Sequence, residues 1–156
     1  MKKVLIALDY DPTAQIIAEK GFLLAKSMCA EVILLHVVSD PVYYSSRAYS
    51  PVMGFSGFMD VVTMQPDMVD GLKKVSQEFL DKSKEHLADE TIKTMVKEGE
   101  FAETILESAK ELGADIIVMG SHSRSWLDGI LMGSVTEKVL HQTLIPLFII
   151  PTKQIN

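Results

Sequence analysis

Ala114-Asp115-Ile116-Ile117-Val118-Met119-Gly120-Ser121-His122-Ser123-Arg124-Ser125 is the stretch on which the fold turns. Asp115 to Met119 reads as a fully buried strand, apolar on every position from Ile116 on, as in a strand covered on both faces of a parallel sheet. It stops at a glycine, and hydroxyl side chains and an arginine follow. Just upstream, Ala102, Ile105, Leu106, Ala109 and Leu112 recur at helical spacing, and Gly113 stands where a left-handed residue closes a helix. A helix therefore feeds a buried strand, and the strand feeds a polar loop. Further downstream Gly133-Ser134 opens a short helix to about His141. Leu147 to Ile150 then forms a last strand between Pro146 and Pro151, which favours a sheet edge.

The same alternation runs back to the start. Val4 to Leu8 and Val32 to Val38 are two more apolar runs of strand length. Between them Asp11-Pro12 signals a helix start, with Asp11 as N-cap and Pro12 at the first helical position. Ala14, Ile17, Ala18, Gly21, Leu24, Ala25 and Met28 mark its inner face. Leu72, Val75, Phe79 and Leu87 lie on a second helix. Ile92, Thr94 and Val96 alternate with Lys93 and Lys97, as in a strand with one wet face near an edge, and Gly99 breaks it. Strands alternating with helices imply right-handed crossovers and a parallel sheet covered by helices on both faces.

A length of 156 residues suits one domain, 1–156, burying roughly 70% of its unfolded surface. Its one long irregular segment spans about 39–67 and carries Tyr43, Tyr44, Tyr49, Met53, Phe55, Phe58, Met59 and Met64. A loop of that length is usually functional, and a lid or a dimer contact is the expectation here. Apolar residues make up 47%, charged residues 23%, and the net charge is −6. An acidic chain with no Lys/Arg run does not suit the phosphate backbone, so no nucleic-acid partner is expected. The apolar run after Met1-Lys2-Lys3 is too short for a secretory h-region, and no segment reaches the ~20 apolar residues of a membrane span. The single cysteine, Cys29, reads as a small buried hydrophobe. A cytoplasmic location follows, with no membrane partner.

In open α/β sheets ligands bind beyond the carboxyl ends of the strands. Those ends are Asp9, His36-Val37-Val38 and Gly120 onward. A helix opening at Gly133-Ser134 offers free N–H groups and partial positive charge to an anion, and Arg124 adds a charged donor. The competing reading is structural. Ser134-Val135-Thr136-Glu137 spells a capping box, which would close the helix on itself. Chemistry alone leaves both open.

Met119-Gly120-Ser121-His122-Ser123-Arg124, followed by Leu131-Met132-Gly133-Ser134-Val135, resembles the ATP-binding signature of the universal stress protein family, G-x-x-G-x9-G-S/T. Val4 to Asp9, Leu35 to Val38, Ala114 to Gly120 and Ile145-Pro146-Leu147 are similar to the family's strands. The resemblance implies a three-layer α/β/α sandwich with a five-stranded parallel sheet, Rossmann-like and of the adenine nucleotide alpha hydrolase type. It implies that Asp9 lies by ribose and phosphates, that Ala7 lines the adenine pocket, and that the Val37 backbone reads the adenine edge. Met119, Gly120, Ser121, His122, Ser123, Arg124 and Ser125 would wrap the phosphates, and Gly133, Ser134, Val135 and Thr136 would hold the terminal ones. The ligand so implied is ATP, or AMP or ADP, with Mg²⁺. The family also implies a homodimer through the last strand and a regulatory protein partner. Ser123 departs from the pattern, standing where the motif has its second glycine. If that position needs positive φ, serine weakens binding.

Other residues weigh less. His36 reads as packed or hydrogen-bonded, His86 and His141 as incidental helix residues, Trp126 as packing or interface, and no cluster has metal-ligand spacing. No residue stands out as a general base, so at most slow ATP hydrolysis is expected. Two other functions compete with a nucleotide-binding regulator. One is an ATP-using enzyme on a related fold, but Asp9-Tyr10-Asp11-Pro12-Thr13 lacks the glycine-serine loop such enzymes carry after the first strand. The other is a dimeric scaffold without nucleotide, favoured by Ser123. A kinase-type P-loop is absent.

Overall fold

A computed structural model describes residues 1–9, 11–39, 68–121 and 133–152. Five strands are found there: β1 (Lys3–Ala7), β2 (Glu31–Val38), β3 (Lys93–Glu98), β4 (Ile116–Gly120) and β5 (Leu147–Ile150). Four helices lie between them: α1 (Ala14–Ser27), α2 (Met68–Leu87), α3 (Phe101–Leu112) and α4 (Ser134–Gln142). The strands form one sheet in the order β3-β2-β1-β4-β5, with every pairing parallel. β3 and β5 are the edges, as their alternating and proline-bracketed sequences predict.

The core is two apolar layers, one on each face of the sheet. Val4, Ile6, Leu34 and Val118 face α1 and α2, where Ile17, Ala18, Leu72, Phe79 and Leu80 meet them. Leu5, Ile33, Leu35, Val37, Ile117 and Met119 face α3 and α4, against Ala102, Ile105, Ala109 and Val139. The three central strands are sandwiched, which is why their sequences are apolar on consecutive positions.

Two sequence expectations are corrected near the first helix. Asp11 does not cap α1, which starts at Ala14 with Thr13 at the N-cap. Asp11 instead turns the chain one step earlier, its carboxylate accepting from the Thr13 N–H at 2.8 Å. A short acidic side chain serves a turn as well as a cap, and here the turn wins. Cys29 is exposed, not buried. Helix α1 ends at Ser27, and Cys29 takes φ 51° in the closing turn. There the Ala30 N–H reaches back to Ala25 O at 2.9 Å and the Cys29 N–H to Lys26 O at 3.1 Å, the paired closure of a Schellman motif. Helix α3 closes as expected, with Gly113 at φ 65°, and its start is capped by the Glu100 carboxylate accepting from the Glu103 N–H.

Candidate functional site

The strand order runs outward in one direction through β1, β2 and β3, and in the other through β4 and β5. The reversal lies between β1 and β4, where Ile6 sits opposite Val118. Residues leaving these two strands emerge side by side, and a crevice at such a point is where open α/β sheets take ligands. Asp9 follows β1 there, and Ser121 follows β4.

At the end of β4 the backbone is gripped from three sides. The Thr136 hydroxyl donates to the Gly120 carbonyl at 2.9 Å, tying the first turn of α4 to the strand. The Ser121 N–H donates to Ile150 O at 2.9 Å, and Ser121 O accepts from the Gly133 N–H at 3.2 Å. The Thr152 N–H donates to Ser121 Oγ at 3.1 Å. Gly120 is a glycine because of close approach. A Cβ there would stand 2.4 Å from Ile17 Cδ1 and 3.2 Å from Thr152 Cγ2. A methyl group at this residue would force the end of the Ile17 side chain to move.

The capping box that Ser134 to Glu137 spells, the competing reading, does not form. Gly133 is the N-cap of α4, and Ser134 is already its first helical residue. The Glu137 N–H donates to the Gly133 carbonyl at 2.9 Å, an ordinary helical bond. Glycine brings no side chain to the cap, and among the described residues no side-chain hydrogen bond closes this end. The N–H groups of the first turn, at Ser134, Val135 and Thr136, have no intrahelical acceptor and carry the positive end of the helix dipole.

Ala7 ends β1, Val37 lies in β2, and Met119 and Gly120 end β4. Val37 and Met119 are buried, and with Ala7 they lie on the face covered by α3 and α4. Gly133, Ser134, Val135 and Thr136 open α4 on that face. His122, Ser123, Arg124 and Ser125 lie outside the described residues, as do Trp126 and the aromatic and Met-rich stretch expected as a lid or dimer contact.

His36 is packed and hydrogen-bonded, as expected. It is 1% exposed, its Nδ1 lies 2.8 Å from Leu8 O, and its ring meets Phe79 edge-on with centroids 6.0 Å apart. Burial holds its pKa below the ordinary 6.5, against the pull of the neighbouring Asp9 carboxylate and the Leu8 carbonyl. His86 is engaged on the surface, its Nε2 2.7 Å from Glu19 Oε1. Sequence reading missed Thr152. It is buried beside Gly120, and its Oγ1 has no hydrogen-bond partner among the described residues. The pairing of Gly120 with Ile150 places it there, two residues past the strand, and pairing is not visible in a single sequence.

Residues 1–151 match the universal stress protein family. The chain belongs to that family. It is 31% identical to universal stress protein MJ0577 of Methanocaldococcus jannaschii, over 97% of this chain and 96% of the relative. It is equally 31% identical to universal stress protein YxiE of Bacillus subtilis, over 95% and 97%. The solved structure of MJ0577 superposes with a TM-score of 0.74 at 28% identity, covering 99% of this chain and 98% of that one. A universal stress protein of Archaeoglobus fulgidus solved in complex with dAMP shares the fold, with a TM-score of 0.58 at 16% identity over 96% and 97%. Among the described residues no helix is long and apolar enough to cross a membrane.

Proposed function

We propose that this chain is an adenine-nucleotide-binding regulatory protein of the stress response, taking ATP, AMP or ADP at the crevice between β1 and β4. One observation carries the reading. A helix N-terminus left open by a glycine cap is fastened, through Thr136 and Gly120, to the end of the strand at the point where the sheet order reverses. An uncapped helix end at a switch point is suited to phosphate. A capping box, the structural alternative, would have taken up the N–H groups of Ser134 and Glu137. The dAMP complex of the Archaeoglobus fulgidus protein is in keeping with it, since the same fold takes an adenine nucleotide there.

In this reading Ala7 and the Val37 backbone border adenine and Asp9 faces ribose and phosphates. Met119, Gly120, Ser121, His122, Ser123, Arg124 and Ser125 wrap the phosphates, and Gly133, Ser134, Val135 and Thr136 hold the terminal ones. Mg²⁺ would arrive with the nucleotide and be held mainly by phosphate oxygens and water. Among the described residues no three His, Cys, Asp or Glu side chains gather to hold a metal by themselves. Binding without efficient turnover then makes the nucleotide a signal to a regulatory protein partner. The chain acts as one cytoplasmic domain, with an insertion at about 39–67, and pairs with a second copy through β5.

The test is to precipitate the purified protein with acid and assay the supernatant for adenine nucleotide, alongside melting curves with and without millimolar MgATP. Released nucleotide, or a raised midpoint, is the expected result. The absence of both would count against the reading.

A further inference from the structure

We propose that His36 is a positioning residue for Asp9, fixing the Leu8 carbonyl so that the chain leaves β1 in the direction that presents Asp9 to the nucleotide. This rests on the nucleotide reading above and adds a residue to it. The β1 ladder ends at Ala7. One residue later Leu8 is held by β2 at both its polar groups. Its N–H donates to Leu35 O at 2.9 Å, and its carbonyl lies 2.8 Å from His36 Nδ1. A carbonyl only accepts, so Nδ1 carries the hydrogen and the ring donates. The next residue is Asp9, whose carboxylate is near enough for its charge to act on the ring.

Two features separate this from ordinary packing. The imidazole sits against Phe79 of α2, on the α1/α2 face, whereas Ala7, Val37 and Met119 lie on the other face. It therefore lies away from a nucleotide on the α3/α4 side and acts on the site through the Leu8 carbonyl it holds and the Asp9 charge beside it. A fourth aliphatic residue after Ile33-Leu34-Leu35 would fill the core as well and would leave the Leu8 carbonyl without this donor.

The experiment is calorimetric titration of MgATP into the wild-type chain, His36→Leu, His36→Asn and His36→Gln, each also in an Asp9→Ala background, with melting curves to establish folding. Asparagine keeps a donor at the Nδ1 position, and glutamine moves it outward. His36→Leu is expected to weaken MgATP about tenfold, the worth of one well-placed hydrogen bond. His36→Asn should recover most of that loss and His36→Gln little of it. In the Asp9→Ala background His36→Leu should cost nothing more. The inference is overturned if asparagine binds no better than glutamine or leucine, or if the loss is as large without Asp9. The asparagine and glutamine pair decides the matter even if His36→Leu does not fold. Should the wild-type chain take no MgATP, the nucleotide reading itself fails and this inference with it. That outcome differs from a wild type that binds while the variants ignore Asp9.

Discussion

Thr136 donates its hydroxyl hydrogen to the carbonyl of Gly120 at 2.9 Å, joining two residues sixteen positions apart in a buried bond. It fixes α4 to the end of β4, so the helix end and the strand end act as one unit. Thr136→Val keeps the shape and removes the donor, leaving a buried carbonyl unpaired. We expect a loss of about 1–3 kcal/mol. That corresponds to roughly 2–4 °C in midpoint per kcal/mol for a chain of this size. Thr136→Ser should keep most of the stability. Thermal melts of the two variants check this, and equal melting of valine and serine forms would contradict it.

A side chain at Gly120 needs the end of Ile17 to move. Gly120→Ala pushes a methyl group onto Ile17 Cδ1. Overpacking of this kind costs about 1–3 kcal/mol. Ile17→Val deletes the atom in the way, so the alanine should cost less in that background. Denaturant unfolding of the two single variants and the double variant measures the coupling. Simple additivity would mean that the contact is not the reason for the glycine.

The buried His36 makes stability depend on pH. Its folded pKa lies below the ordinary 6.5 because burial disfavours the charged ring. As pH falls through about 6.5 the unfolded chain takes up a proton that the folded chain refuses, and stability drops by up to about 1.4 kcal/mol per pH unit. The contribution is whole above that pH and is lost on the way down toward the folded pKa. Asp115 and Glu100 also have lowered pKa values, each led by a hydrogen bond to a backbone N–H, of Lys3 and of Glu103. Their ordinary values are 3.8 and 4.5, so their contribution is lost in a lower window. Between pH 7 and 5 the midpoint of the wild type should fall more steeply than that of His36→Asn. Parallel curves would remove His36 from the account.

Much of the fold is legible because sandwiched strands leave a plain trace. The runs at Val4 and Ile116 are apolar on every position and that at Val32 on all but His36, and Lys93 and Lys97 betray the edge at β3. Where two residues can do the same local job, the sequence is mute. Asp11 and Thr13 both suit a helix start, and Gly133 stands one position before a serine that spells a capping box. At the first a local turn places Thr13 at the cap, and at the second Gly133 is tied to Ser121 across the fold. Cys29 looked internal because the helical period carries one turn past the point where the chain closes α1. For the site, chain order shows Ala7, Asp9, Val37 and Gly120 as strand ends. That β1 and β4 are neighbours comes only from the pairing. The reach of Thr136 back to Gly120 and the place of Thr152 beside it are long-range facts of the same kind.

Among the described residues strand β5 leaves one edge open, and Phe148 on it is 43% exposed. An unpaired edge with an exposed aromatic is a surface for a second copy. Light scattering at micromolar concentration should give twice the 17.3 kDa chain mass. Phe148→Lys should shift the population to monomer without lowering the helix signal. A monomeric wild type would remove the proposed dimer.

Titration calorimetry of MgATP into the wild-type chain and Thr136→Val, under conditions where both are folded, tests the central claim most directly. Saturable heat is expected for the wild type, and binding weaker by about tenfold for the variant whose helix end is no longer tied to Gly120. No heat with the wild type at millimolar nucleotide, or unchanged affinity in the variant, would contradict it.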